Sequence, residues 1–99
     1  MIEVEVHFRL KDGDQTDIRA MALQLIADTR AETGCIFYDL LVSLSDPCLW
    51  RFVETWRSRD DLAAHNSSRH VQLWRAATTD WFMARPDDRK PRLGGRGHR

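Results

Sequence analysis

The sequence predicts an α+β domain: a small antiparallel sheet with helices on one face and a second copy against the other. Three observations lead there. The first ten residues alternate apolar and polar; a stretch at helical spacing follows and stops at Gly34; and two apolar strand-like runs, joined at Ser45-Asp46-Pro47, run into a second, polar-capped helical stretch.

Ile2, Val4, Val6, Phe8 and Leu10 alternate with Glu3, Glu5, His7 and Arg9, a period of two that makes a strand with one face in the core. His7 then points away from that core and reads as a solvated or interface residue. Lys11-Asp12-Gly13-Asp14 is the turn that ends the strand. Ile18, Met21, Ala22, Leu25, Ile26 and Thr29 recur three and four apart, as one face of a helix does, with an N-cap candidate at Asp14 or Thr16 and Gly34 as its stop. The polar face, Asp17, Arg19, Gln24, Asp28 and Glu32, reads as solvated surface.

From Cys35 to Leu44 the chain is apolar on both faces: Ile36, Tyr38, Leu40, Val42 and Leu44 on one, Phe37 and Leu41 on the other. A strand apolar on both sides must be covered on both. One helical layer cannot do that, so the pattern points to sheet-on-sheet dimerisation. The third strand, Leu49 to Arg57, places Trp50, Phe52, Glu54 and Trp56 on one face and Arg51, Val53 and Thr55 on the other. Glu54 is the odd member: a carboxylate among aromatics needs a partner, so it is either a functional group or one half of an ion pair with Arg69 or Arg75.

Ser58 caps the next helix, with Asp60 and Asp61 at its positive end. It carries Leu62, Ala63 and His65 and loosens at Asn66-Ser67-Ser68. A further helical stretch follows with Val71, Leu73, Trp74, Ala77, Thr78, Trp81 and Phe82, most of it core. Strand, helix, strand, strand, helix is the ferredoxin-like order.

At 99 residues and 42% hydrophobic the chain forms one domain with one core, small enough to gain from dimerisation. Zero net charge argues against a nucleic-acid partner. Residues 1–84 hold nine Lys and Arg against thirteen Asp and Glu, while residues 85–99 hold six against two. The reading is therefore a folded body over 1–84 and a basic, flexible tail over 85–99, with a poor fourth-strand candidate at residues 90–93, interrupted by Pro91. No stretch is apolar enough for a signal peptide or a membrane span, and a soluble, cytoplasmic protein is expected. Cys35 and Cys48 fall at opposite ends of the hairpin, about 30 Å apart at the usual strand rise, too far for a disulfide. No zinc-type Cys/His spacing is present, and no metal is expected.

The ordered set Gly34-Cys35, Tyr38-Asp39-Leu40, Asp46-Pro47, Glu54-x-Trp56-x-Ser58, Asp61-Leu62 with His65, and Ser68-x-His70 resembles the antibiotic-biosynthesis monooxygenase domains, including the small quinol monooxygenases, over roughly the first 84 residues. The resemblance implies a ferredoxin-like fold whose open sheet face packs on a second copy in a barrel-like homodimer. It also implies oxygenation without metal, haem or flavin: a phenol, quinol or polyketide-type aromatic is deprotonated and its anion reacts with dioxygen. The fourth strand usual in that family is where this chain departs. Haem-degrading relatives place their axial histidine about ten residues beyond the position of His65, where this chain has Arg75, so haem chemistry is disfavoured.

Such a reaction needs a base poised near neutral pH, a dry pocket and donors for the developing oxyanion. His65 is the candidate base, with Trp56 the other catalytic candidate. Tyr38 and Trp56 would orient the ring, Asn66 or His70 would supply a donor, and Glu54 and Trp74 complete the candidate substrate site. The same residues also suit a structural role, His65 at a helix C-terminus and the aromatics in the core. A non-catalytic dimeric binding module, or an isomerase or cyclase using the same base without dioxygen, would carry the same sequence.

Overall fold

A computed structural model of the chain describes residues 1–82. Strands β1 (Ile2–Arg9), β2 (Cys35–Val42) and β3 (Leu49–Trp56) form one antiparallel sheet in the order β1-β3-β2, and helices α1 (Thr16–Arg30), α2 (Arg59–Asn66) and α3 (Arg69–Ala77) pack on one of its faces. The alternation in β1 has its expected consequence: Val4, Val6 and Phe8 are buried while His7 is exposed on the other face. In β3, Trp50, Phe52, Glu54 and Trp56 all point inward. Phe52 lies 5.5 Å from both Phe8 and Tyr38 with the rings tilted, and Trp74 meets Phe52 edge-on at 5.9 Å, which seats α3 on the sheet. Ile18, Ala22, Leu25 and Ile26 supply the α1 side of this core.

Four readings of the sequence are corrected. First, β2 opens with a bulge: Cys35 pairs with Trp56 and Phe37 with Thr55, leaving Ile36 as the extra residue. Cys35, not Ile36, therefore shares the inner face with Tyr38, and Ile36 is exposed. Second, β2 stops at Val42, with Ser43 rather than Leu44 bonded to Leu49, so Leu44 lies in an exposed loop. Third, α1 ends at Arg30, and Glu32 sits in the turn beyond rather than on the helix's polar face. The N-cap position is Gln15, with Asp14 accepting from the Thr16 backbone N–H at 2.9 Å and hydroxyl at 2.7 Å. Fourth, α3 ends at Ala77; after a single 3-10 turn (Thr79–Trp81) Phe82 is extended and bridges Leu10. Leu73, placed in the core stripe by its spacing, is 56% exposed. The candidate fourth strand and the basic tail lie outside the described residues.

Ser58 caps α2 as expected, its Oγ accepting from the Asp61 N–H at 3.1 Å. Ser58→Ala should lower stability by about 1 kcal/mol, read as a shift of the urea midpoint at unchanged slope. At the junction the Ser68 side chain accepts from the Val71 N–H, so the chain breaks and restarts its helix within two residues. That break aims His65 and His70 at a common point.

Two faces matter for function. The inner face lies beneath α2 and α3. The outer face has no cover among the described residues and exposes Phe37 (48%) and Leu41 (40%) beside the half-buried Val53. Both cysteines are free. No helix among the described residues is long and apolar enough to cross a membrane.

Candidate active site

His65 lies in the last turn of α2 and is almost fully buried. Its Nδ1 is 2.7 Å from Glu32 Oε2, and its Nε2 faces Glu54 Oε1 at 3.9 Å. Trp56 lies against one side of the imidazole, with ring centres 4.6 Å apart, and Tyr38 meets it edge-on at 5.3 Å. Glu54 and Trp56 are two residues apart on β3 and so share a face; the Trp56 indole N–H donates to Glu54 Oε1 at 2.9 Å. Glu54 thus has Trp56 and the facing His65 as partners. Tyr38 stands opposite Glu54 in the sheet register.

His70, in the first turn of α3, turns back to the same carboxylate: its Nε2 is 2.6 Å from Glu32 Oε2. Glu32 thus joins two imidazoles through one oxygen. With the Glu32 oxygen as acceptor, both nitrogens facing it donate, which leaves the lone pair of neutral His65 on Nε2, toward Glu54, Trp56 and Tyr38. Burial pushes the His65 pKa below its ordinary 6.5; the Glu32 hydrogen bond and charge oppose that shift, and His70 and Arg75 add to it. Neutral imidazole, the form that accepts a proton, is the resting form at pH 7.

The candidate residues fall into two groups with Glu32 as the joint. Tyr38, Glu54, Trp56 and His65 form an inner cluster against the sheet. His70 and Trp74 border a groove of about 280 Å³ between α1 and α3, walled by Met21, Leu25 and Leu73. The Trp74 indole nitrogen is buried without a hydrogen-bond partner among the described residues. Asn66 joins neither group: it is exposed, and its backbone carbonyl accepts from Gln72. It lies one residue past His65, about 100° round the helix, which turns it to solvent.

Glu32 is the residue that sequence reasoning missed. Its periodicity continued the polar face of α1, and nothing local marks a carboxylate whose partners lie 33 and 38 residues away. Cys35 lies near the same charges; burial first, then Glu32 and Glu54, push its thiol pKa up, which leaves it a poor nucleophile.

The class defined by this fold and site is a ferredoxin-like α+β domain that holds a carboxylate-paired imidazole under aromatic rings between sheet and helices. The antibiotic biosynthesis monooxygenase family model matches residues 1–77, and the chain belongs to that family. It is 34% identical over 85 residues to the Mycobacterium tuberculosis protein named "Putative monooxygenase Rv0793", covering 86% of this chain and 82% of that one. The solved structure of the same M. tuberculosis protein superposes with a TM-score of 0.75 at 32% identity, covering 86% of this chain and 85% of that one. A crystal structure named as an antibiotic biosynthesis monooxygenase superposes with a TM-score of 0.80 at 25% identity, covering 86% and 90%.

Proposed function

We propose that the chain is a monooxygenase that works without a cofactor, taking a phenolic, quinol or polyketide-type aromatic and dioxygen. The observation that carries this reading is His65, a buried imidazole held at Nδ1 by Glu32 with its other nitrogen turned toward Trp56, Tyr38 and Glu54. His65 takes the substrate hydroxyl proton at Nε2, and the imidazolium so formed lies between two carboxylates. The electron-rich anion then reacts with dioxygen. One oxygen atom enters the substrate and the other leaves as water with two substrate hydrogens, so the substrate supplies all four electrons. Trp56 and Tyr38 orient the ring. Trp74, whose N–H has no partner among the described residues, takes the place of Asn66 as the donor to a substrate oxygen, and His70 gives the Glu32 carboxylate a route toward solvent.

Oxygen uptake by chelator-treated protein against a panel of hydroquinones and anthrone-type phenols tests the reading. Uptake well above the autoxidation blank supports it. Turnover that persists without oxygen would assign an isomerase or cyclase instead, and tryptophan quenching without turnover a binding module.

In the same reading the outer face of the sheet pairs with a second copy, through Phe37, Leu41 and Val53. The double variant Phe37→Asp/Leu41→Asp is expected to run as a monomer in sedimentation while the parent runs as a dimer. A parent that is monomeric at micromolar concentration, or a variant still dimeric, would remove this part of the proposal.

A further inference from the structure

We propose that Glu32, His65 and His70 form a three-ligand site for a divalent transition-metal ion of the zinc class. The three donors come from three separate parts of the fold: the turn after α1, the last turn of α2 and the first turn of α3. His65 Nδ1, His70 Nε2 and a Glu32 oxygen all lie within 4.8 Å of one another, and both nitrogens reach the same carboxylate oxygen, at 2.7 and 2.6 Å. Donor atoms around a tetrahedral zinc ion stand about 3.4 Å apart. Seating an ion therefore requires the carboxylate oxygen to withdraw from each imidazole by less than about 1 Å and the two nitrogens, which lie within 4.8 Å of each other, to close to about 3.4 Å. The Glu32 and His70 side chains are 16% and 23% exposed, so the ion has both an access path and ligands free to adjust, while buried His65 is the fixed point.

Two imidazoles and one carboxylate make a borderline donor set that favours zinc, cobalt, nickel, copper or iron over magnesium and calcium. Three protein ligands leave a coordination position open for water. Beyond the ligands, Glu54 faces the far nitrogen of His65 at 3.9 Å and is itself held by the Trp56 indole. Carboxylates stand behind metal-bound histidines and accept from the nitrogen that does not bind the ion; Glu54 is placed for that role and needs to close by about 1 Å to fill it.

An ion on Nδ1 moves the His65 proton to Nε2, toward Glu54. The base of the proposed reaction needs the opposite tautomer. Metal binding and base function therefore exclude each other, and the ion would act as a reversible inhibitor. The binding measurement is independent of the reaction, so failure of one proposal leaves the other standing.

The test titrates the full chain, stripped with a chelator, with cobalt(II) and then zinc(II). One equivalent of cobalt should bind with the visible absorption of a low-coordinate site, and zinc should displace it. Glu32→Gln and His70→Ala, each checked for folding by circular dichroism, should each weaken binding by more than about 100-fold, and Glu54→Gln by about 10- to 100-fold. His7→Ala and His98→Ala should not change it. Absence of stoichiometric binding, or binding that survives both Glu32→Gln and His70→Ala, or binding lost with His7→Ala or His98→Ala, would overturn the proposal.

Discussion

Replacing His65 with alanine is expected to bring oxygen uptake down to the autoxidation blank, a loss of about 10²- to 10⁴-fold, the range that a positioned general base supplies. The variant also leaves Glu32 and Glu54 without the imidazole that faces both, at a cost to stability of about 1–3 kcal/mol, so turnover must be normalised to folded protein. His65→Gln separates the two effects: it keeps a hydrogen-bonding side chain but no base, and should be as inactive while better folded. Glu32→Gln keeps the shape but no longer fixes the His65 tautomer, and is expected to cost about 10²-fold. His70→Ala, at the exposed end of the same cluster, should cost less. If His70→Ala were the inactive variant and His65→Gln the active one, the base would be His70, working from the groove beside Trp74.

The pH dependence follows from the direction of the His65 shift. Its folded pKa lies below 6.5, so kcat/KM should rise with pH through a midpoint below 6.5 and then stay flat across neutrality. A midpoint above 6.5 would place the base elsewhere. Stability moves the same way. Between the folded and unfolded pKa values the unfolded chain binds more protons at this residue, so its contribution is complete above 6.5 and declines as pH falls toward the folded value. Urea midpoints of the wild type and His65→Gln, compared on either side of pH 6.5, isolate that contribution.

The fold was legible wherever one periodicity covered a whole element. Val4, Val6 and Phe8, and Trp50, Phe52 and Trp56, were placed on the core face by alternation alone, because a strand with one buried face leaves no other choice. What escaped was anything set by a single residue's geometry. A bulge at Ile36 brings Cys35 to the inner face and turns Ile36 out without altering composition. Trp81 and Phe82 fit a helical stripe as well as the turn and bridge they actually form, since a short aromatic run suits either. The candidate site was half legible for the same reason. His65, Glu54, Trp56 and Tyr38 were named from two neighbouring stretches of sequence, whereas Glu32 enters the cluster only because α1 stops at Arg30 and the following turn swings it under α2. Asn66 was drawn in by nearness to His65 along the chain, but in a helix adjacent residues point about 100° apart.

That turn makes Gly34→Ala the most damaging small substitution to be expected. Gly34 has φ +86°, a left-handed conformation that costs an L-residue about 1–2 kcal/mol. A Cβ there would also occupy the position of the Asp61 carboxylate and stand 2.6 Å from the Asp61 Cβ. Turning the carboxylate aside gives up the bond it accepts from the Ser58 hydroxyl at 3.1 Å and still leaves the Asp61 Cβ in the way, so relief requires a shift of the first turn of α2, where the Asp61 N–H donates to the capping Ser58 Oγ at 3.1 Å. Displacing it adds the loss of that cap, about 1 kcal/mol, and the sum is about 2–3 kcal/mol. The Gly34 carbonyl accepts from Arg57, so the strain passes to the end of β3 just beyond Trp56 as well. Both consequences reach the site: Glu32 lies two residues before Gly34, and His65 is carried by the helix that Asp61 caps. Gly34→Ala should therefore lower the urea midpoint and, in the fraction that still folds, weaken the Glu32–His65 bond and with it turnover. Asp61→Ala removes the carboxylate part of the clash, leaving only its Cβ at 2.6 Å, and gives up the bond from the Ser58 hydroxyl while keeping the backbone cap, so the double variant Gly34→Ala/Asp61→Ala should be more stable than the sum of the single losses implies. Simple additivity in that cycle would show that the two residues do not meet as the structure places them.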